Sequence, residues 1–387
     1  MQERISPYIY LLCVGHLFTD LNQGALPIII PFFIAEYGFN YTTAASLVFA
    51  LNLVSSVVQP VFGALADRVS KPWILSVAVL LAGGGMAATG IFSSYTSIFT
   101  AVIISGIGIA AFHPEAARCA NQVAGQRKGT GVSIFGSGGT VGFAFGPIFA
   151  SWLILTFGLK GLTALFIPVA VIAPVLLIAM NRYYQSEKGT RPVSSPRQKT
   201  GGMNRWGAFS LLCALVFSRS IIFYGLNTFL PLYWIHEFKQ SATVASAALS
   251  SMLVVGVMSS LISGRMADRF GFHKLIRGGF LFLLPLLGIF IFTTHATAAM
   301  LLLIPIGFTL YAPLVPMIVM GQQLLPNHIG LSSGVTLGLS VSIGGIAAPL
   351  LGKVADIYGL PSVMYILAAV AVLPAFLAFA LPKSHEA

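Results

Sequence analysis

Charged residues are scarce in this sequence. Only 8% of its 387 residues are Asp, Glu, Lys or Arg, against about 25% in soluble domains, whose surfaces must be wetted. So little charge cannot coat a water-facing exterior, which excludes an ordinary soluble enzyme or binding module. Acids are scarcer than bases, 10 against 21. The resulting net charge of +11 does not indicate nucleic acid as a partner, because the bases sit in short loops between apolar stretches. Cysteine is nearly absent. Cys13, Cys119 and Cys213 are scattered through separate apolar stretches, so no disulfide framework is expected. A basic leader with a small-residue cleavage site is also missing. The first apolar stretch contains His16 and Asp20, so it reads as a first membrane span rather than a signal peptide.

Apolar residues fill the space that charge leaves, at 57% of the chain. They recur in runs of about 20 to 28 residues, long enough to cross a hydrocarbon core roughly 30 Å thick. The runs lack two-residue alternation, so they predict helices and not a barrel. Six spans are expected near residues 7–35, 42–66, 72–92, 97–122, 130–157 and 161–181. Six more follow near 206–235, 242–267, 275–294, 298–324, 330–357 and 362–381. The fold class is therefore an all-α membrane protein of twelve transmembrane helices in two pseudo-symmetric six-helix bundles, 1–181 and 206–387. Residues 182–205, rich in Lys, Arg, Ser, Pro and Gly, read as a cytoplasmic linker. Placing the N-terminus inside puts 16 of the 21 Lys and Arg in the cytoplasm and leaves three outside, Lys160, Lys239 and Lys353. That asymmetry predicts an inner-membrane protein with both termini cytoplasmic.

The halves repeat. Gly63-Ala-Leu-Ala-Asp67-Arg68 after the second span returns as Gly264-Arg-Met-Ala-Asp268-Arg269 after the eighth, and Gly142 and Pro147 return as Gly344 and Pro349. The two pairings lie at nearly one offset, which favours parallel halves. The glycine-aspartate-arginine loop resembles the signature of the major facilitator superfamily. Gly63 and Gly264 would allow close helix approach. Asp67 and Asp268 would sit against the positive end of a helix in the other half, near Ser332 and Thr130, as cytoplasmic latches. The first copy departs from the pattern, with Ser70-Lys71-Pro72 where glycine and arginines are usual. In the fifth span, Gly138, Gly142 and Gly146, followed by Pro147, make a flat stripe for a neighbouring helix. This stripe resembles a degenerate form of the motif associated with antiporters in the superfamily.

Ionisable side chains inside spans cost several kcal/mol each and mark functional sites. Asp20 lies near the middle of the first span, with His16 one turn before it and Gln23 one turn after. The fourth span carries Phe112-His113-Pro114-Glu115 and then Arg118, and the seventh carries Arg219 alone. His16-Leu-Phe-Thr-Asp20 with Asn22-Gln23, and Phe112-His-Pro-Glu115 with Arg118, resemble the fosmidomycin-resistance protein family within the superfamily. That resemblance implies proton-coupled antiport exporting a small anionic drug or metabolite, a fosmidomycin-like phosphonate. Val102 stands where many other drug antiporters carry an arginine, and Arg118 is too far along the helix to take that role.

The expected site is therefore a proton-coupling set of Asp20, His16, His113 and Glu115. The substrate set is Arg219, Gln59, Gln23, Asn227 and Tyr311. Gating falls to Gly63, Asp67, Arg68, Arg118, Gly264, Asp268 and Arg269, and helix packing to Gly142, Gly146 and Pro147. Alternatives stay open for several of these: Glu115 and Arg118, three apart, also suit a plain ion pair. Arg219 also suits a static partner for Asp20 or for a backbone carbonyl. No cofactor, resident metal or enzyme activity is expected. The partners are substrate, protons and lipid, around a monomer. Proton-coupled uptake of an organic anion is the runner-up. A divalent-metal transporter and a non-transporting receptor rank lower.

Overall fold

The computed structural model describes residues 6–59, 61–62, 73–124, 128–186, 203–328, 331–332 and 334–382. Of residues 121, 128–130, 132, 133, 264, 265, 268, 334, 337 and 338 it describes the backbone alone. Gly63, Asp67 and Arg68 lie outside the described residues, as do the side chains of Asp268 and Thr130, so the expected latches have no structural account.

Every regular element among the described residues is helical. Helix α1 (Pro7–Tyr37) starts with proline at its first position, where a missing N–H costs nothing. It stops at Gly38, whose positive φ of 67° suits glycine and lets its N–H close on Ile34 O. Helices α2 (Tyr41–Val57) and α3 (Trp73–Ala88) are shorter and apolar. Helix α4 (Tyr95–Val123) is capped by Ser94, whose side chain accepts from Ser97 N–H. Helices α5 (Lys128–Phe157) and α6 (Phe166–Ser186) complete the first half, separated by a 3-10 turn at Leu159–Leu165. Helix α6 runs beyond the expected residue 181 because Arg182 to Ser186 continue its turns.

The second half opens with α7 (Trp206–His236). Helix α8 (Ala242–Phe270) is capped by Ser241 on Val244 N–H, and α9 (Phe272–Ile291) follows. The tenth span divides into α10 (Ala296–Tyr311) and α11 (Leu314–Leu324). The interruption falls at Ala312-Pro313, where proline withholds a backbone donor. The eleventh span begins as a π-helical turn, Gly334–Leu339, before α12 (Ser340–Tyr358), and α13 (Leu360–Leu377) is the last span. Among the described residues, ten helical segments are long and apolar enough to cross a membrane, and α2 and α3 are the two shorter apolar ones. Large apolar side chains such as Phe145, Trp152, Phe166 and Phe282 point outward. An exterior of that kind fits lipid, not water.

Contacts divide the chain into two compact units. One is Met1–Gly38 with Ala50–Ser194, and the other is Phe39–Phe49 with Ser195–Ala387. In the first, α1 and α5 lie backbone against backbone. A methyl group built on Gly138, Gly142 or Gly146 would run into the backbone carbonyl of Cys13, Leu17 or Leu21. Both series step by four, so the glycine stripe is matched turn for turn by α1. Without a hydrophobic drive between helices in lipid, such close approach supplies the van der Waals contact that holds them. Interhelical serine bonds add to it, from Ser76 to Ala173 O and from Ser105 to Ala82 O. In the second unit, Asp356 of α12 accepts from the backbone N–H groups of Tyr41 and Thr42 at 2.7 and 3.0 Å and from the Thr42 hydroxyl. An acid at this end of α2 offsets its orphan donors and its positive end. Arg277 does the reverse at the end of α13, donating to the carbonyls of Ala378, Phe379 and Leu381.

Candidate functional site

Two charges inside spans occupy the same position in two 31-residue helices, Asp20 in α1 and Arg219 in α7. Each has gathered a different environment.

Asp20 is 14% exposed and lies between two imidazoles. His113 Nε2 donates to its Oδ1 at 2.8 Å, and His16 Nε2 stands 3.2 Å from its Oδ2. His16 and Asp20 share a face because they are one turn apart in α1, and α4 brings His113 to them. The His16 ring stacks on Phe135 of α5, with centroids 4.3 Å apart, and its Nδ1 lies 2.9 Å from the Phe135 carbonyl oxygen. A carbonyl only accepts, so Nδ1 carries the proton and Nε2 is the nitrogen turned to the aspartate. Gly139, one turn further along α5, closes the arrangement. A methyl group there would collide with His16 Nε2 and Asp20 Oδ2. Two imidazoles and one carboxylate thus form a compact group suited to holding a cation, a proton above all. Buried carboxylates need that kind of compensation.

Glu115, named in the proton-coupling set with an ion pair to Arg118 as the alternative, is not among the groups around Asp20. It lies two residues past His113, about 200° around the helix. There it forms an ion pair with Arg118, Oε1 to a terminal guanidinium nitrogen at 2.7 Å and Oε2 to Nε at 3.2 Å. The same guanidinium donates to Tyr184 OH at 2.6 Å, and Cys119 Sγ lies 3.3 Å from that hydroxyl. The group ties α4 to the end of α6.

Arg219 is 6% exposed. Its Nε donates to Leu310 O at 2.7 Å, at the interruption of the tenth span. Its guanidinium carbon lies 5.3 Å from the Tyr311 ring centroid and 5.8 Å from that of Phe223. Among the described residues it makes no ion pair. Glycines make room for the aromatic walls. A methyl at Gly256 would meet the Tyr311 ring, and one at Gly344 would meet Tyr224. An arginine held by one carbonyl and flanked by rings keeps donors for an anion. Asn227, two turns on, is buried with no hydrogen-bond partner for its Oδ1. Gln23 in α1 and Gln59, just past α2, are half-buried. Arg269 lies exposed at the end of α8, over the Phe270 ring.

Phe135, Gly139, Phe223 and Tyr224 join these groups without having been expected there. Phe223 lies one turn after Arg219, so helical spacing alone was a usable signal for it. Nothing local marks Phe135, which meets His16 across 119 residues of sequence.

The comparisons agree with this architecture. The chain is 30% identical over 388 residues to the uncharacterized MFS-type transporter YfnC of Bacillus subtilis strain 168, covering 99% of this chain and 94% of that protein. It is 29% identical over 352 residues to the fosmidomycin resistance protein of Escherichia coli K12, covering 89% and 85%. A solved bacterial homolog of the human lysosomal transporter Spinster, in an inward-facing and unoccupied conformation, superposes with a TM-score of 0.83. That match has 16% identity and covers 98% of both chains. The family model described as Major Facilitator Superfamily matches residues 12–349, and with its twelve-helix fold the chain belongs to that superfamily of multi-pass membrane transporters.

Proposed function

We propose that this transporter is a proton-coupled antiporter that exports a small anionic drug or metabolite, of the phosphonate class to which fosmidomycin belongs, by alternating access. The observation that carries this reading is Asp20, largely enclosed inside a span, with its two imidazoles, His16 and His113. A membrane-buried acid is costly to keep, and an imidazole changes charge near neutral pH. Taking up or releasing one proton there changes the net charge of the site and so biases one conformation over another. Arg219 supplies the anion contact through its planar donors, with Tyr311, Asn227, Gln23 and Gln59 for the polar body of the substrate. Glu115 and Arg118 serve as a fixed ion pair within α4 that holds Tyr184 of α6. The likeness to the fosmidomycin resistance protein supports the substrate class and the export direction. On the positive-inside count, both termini face the cytoplasm, and the latch aspartates Asp67 and Asp268 lie on that side. The bundles are 1–181 and 206–387.

Everted membrane vesicles with an imposed proton gradient test the reading. Fosmidomycin, or another small phosphonate or carboxylate, should release protons from vesicles holding the protein and not from control vesicles. Proton flux unaltered across the panel would overturn it, and substrate-driven movement of protons in the same direction as substrate would establish symport instead.

A further inference from the structure

We propose that the His16–Asp20–His113 group is also a binding site for a divalent transition-metal ion of the zinc type. The inference uses the residues of the proposed coupling site but does not require transport to occur. Two ring nitrogens and a carboxylate lie within 4.8 Å of one another, contributed by two helices. Ligands about 2.0–2.1 Å from one tetrahedral ion stand roughly 3.3 Å apart. The Nε2 atoms of His113 and His16 lie 2.8 and 3.2 Å from the two carboxylate oxygens, so both imidazoles already stand at about the ligand-to-ligand spacing from the carboxylate between them. His16 carries the supporting bond that metal-bound imidazoles use. Its Nδ1–H is committed to the Phe135 carbonyl at 2.9 Å, which presents Nε2 as the ligand atom and fixes the ring. Two imidazoles with one carboxylate suit zinc, cobalt or nickel, and do not suit magnesium or calcium, which take oxygen ligands. Three protein ligands leave a fourth position for water or for an anionic group of a substrate.

Gly139 gives the site a second mark. A methyl there would press on His16 Nε2 and Asp20 Oδ2, two of the ligand atoms.

Cobalt is the probe, because four- or five-coordinate Co2+ shows visible absorption bands that the aqueous ion lacks in strength. Tag-free protein in detergent should develop those bands on titration with CoCl2, and ZnCl2 should remove them. Asp20→Asn and His113→Gln should each weaken Co2+ binding by more than about tenfold, as loss of a first ligand requires. His295→Gln, at an exposed histidine, should leave it unchanged. A second measurement does not depend on any variant folding: Zn2+ should protect His16 and His113 of the unaltered protein from diethyl pyrocarbonate, read by peptide mass. Absence of the cobalt bands or of protection in the unaltered protein overturns the proposal, as do bands that survive in folded Asp20→Asn or vanish in His295→Gln. Cobalt bands without substrate-driven proton flux would sink the antiport reading and leave the metal site standing, and the converse result would do the reverse.

Discussion

Asp20 and Arg219 sit at one register in equivalent helices, yet they answer the problem of buried charge in different ways. Asp20 is flanked by two imidazoles, each with a ring nitrogen that can carry a proton, while Arg219 is held by a carbonyl dipole and aromatic rings, which offer it no proton partner. The first arrangement suits a changing charge and the second a permanent one. Asp20→Asn is therefore expected to keep the shape and insertion of the protein and to abolish substrate-driven proton release in everted vesicles. Normal flux in a folded variant would remove Asp20 from coupling. Arg219→Gln should weaken an anionic substrate by about tenfold or more, since a hydrogen bond to a charged group contributes roughly 1.5–3 kcal/mol. Arg219→Lys should retain part of that affinity, because it keeps the charge and loses the fork. Equal loss for neutral and anionic ligands would count against an anion site. Much of this was legible in the sequence, since lone charges in apolar runs draw notice and His16 with Asp20 follows from helical spacing. The separation of Glu115 from His113 was also available, because two residues along a helix face nearly opposite ways. The Leu310 carbonyl was not, because its role arises from a break in another helix.

At the scale of elements, α5 is a spacer whose thickness matters. Its glycines let α1 lie against it, and the same contact seats His16 on Phe135. A methyl at position 142 would meet the backbone at Leu17, which cannot turn aside as a side chain can, whereas one at position 136 has nothing within 4 Å. Gly142→Ala should then lower stability by about 1–3 kcal/mol, the usual effect of overpacking. Gly136→Ala should be neutral. Thermal unfolding in detergent reads both, and equal midpoints would refute a backbone-tight seam. The stripe was visible as a four-residue repeat, but its partner was not, because glycines do not say which neighbour they admit. The tenth span was expected unbroken over 298–324, although Pro313 and Pro316 lie within it. That the break would set Tyr311 beside Arg219 required the path of α7. The π-helical start of the eleventh span, Gly334–Leu339, is a form that turns up inside helices at functional sites, and no residue type in that stretch encodes it uniquely.

Across the whole molecule, the compact unit built mainly from residues after 195 also takes in Phe39–Phe49, with Asp356 on the backbone of Tyr41 and Thr42. Asp356→Ala removes that acceptor and is expected to cost about 1 kcal/mol, as lost helix caps do. Urea unfolding in detergent should show the decrease, and an unchanged midpoint would mean that water serves the freed donors equally well. The twelve helices were readable from apolar length alone, while this pairing was not, since its partners are 315 residues apart. The same separation imposes a delay during biosynthesis. At about 5–20 residues per second, a ribosome needs roughly 15–60 seconds after Tyr41 to deliver Asp356. The first turn of α2 is therefore made with its backbone donors lacking that carboxylate until the eleventh span arrives. A nascent chain halted at the end of the first six spans should be cleared by membrane proteases faster than the finished protein, and pulse-chase labelling of the two would measure the difference.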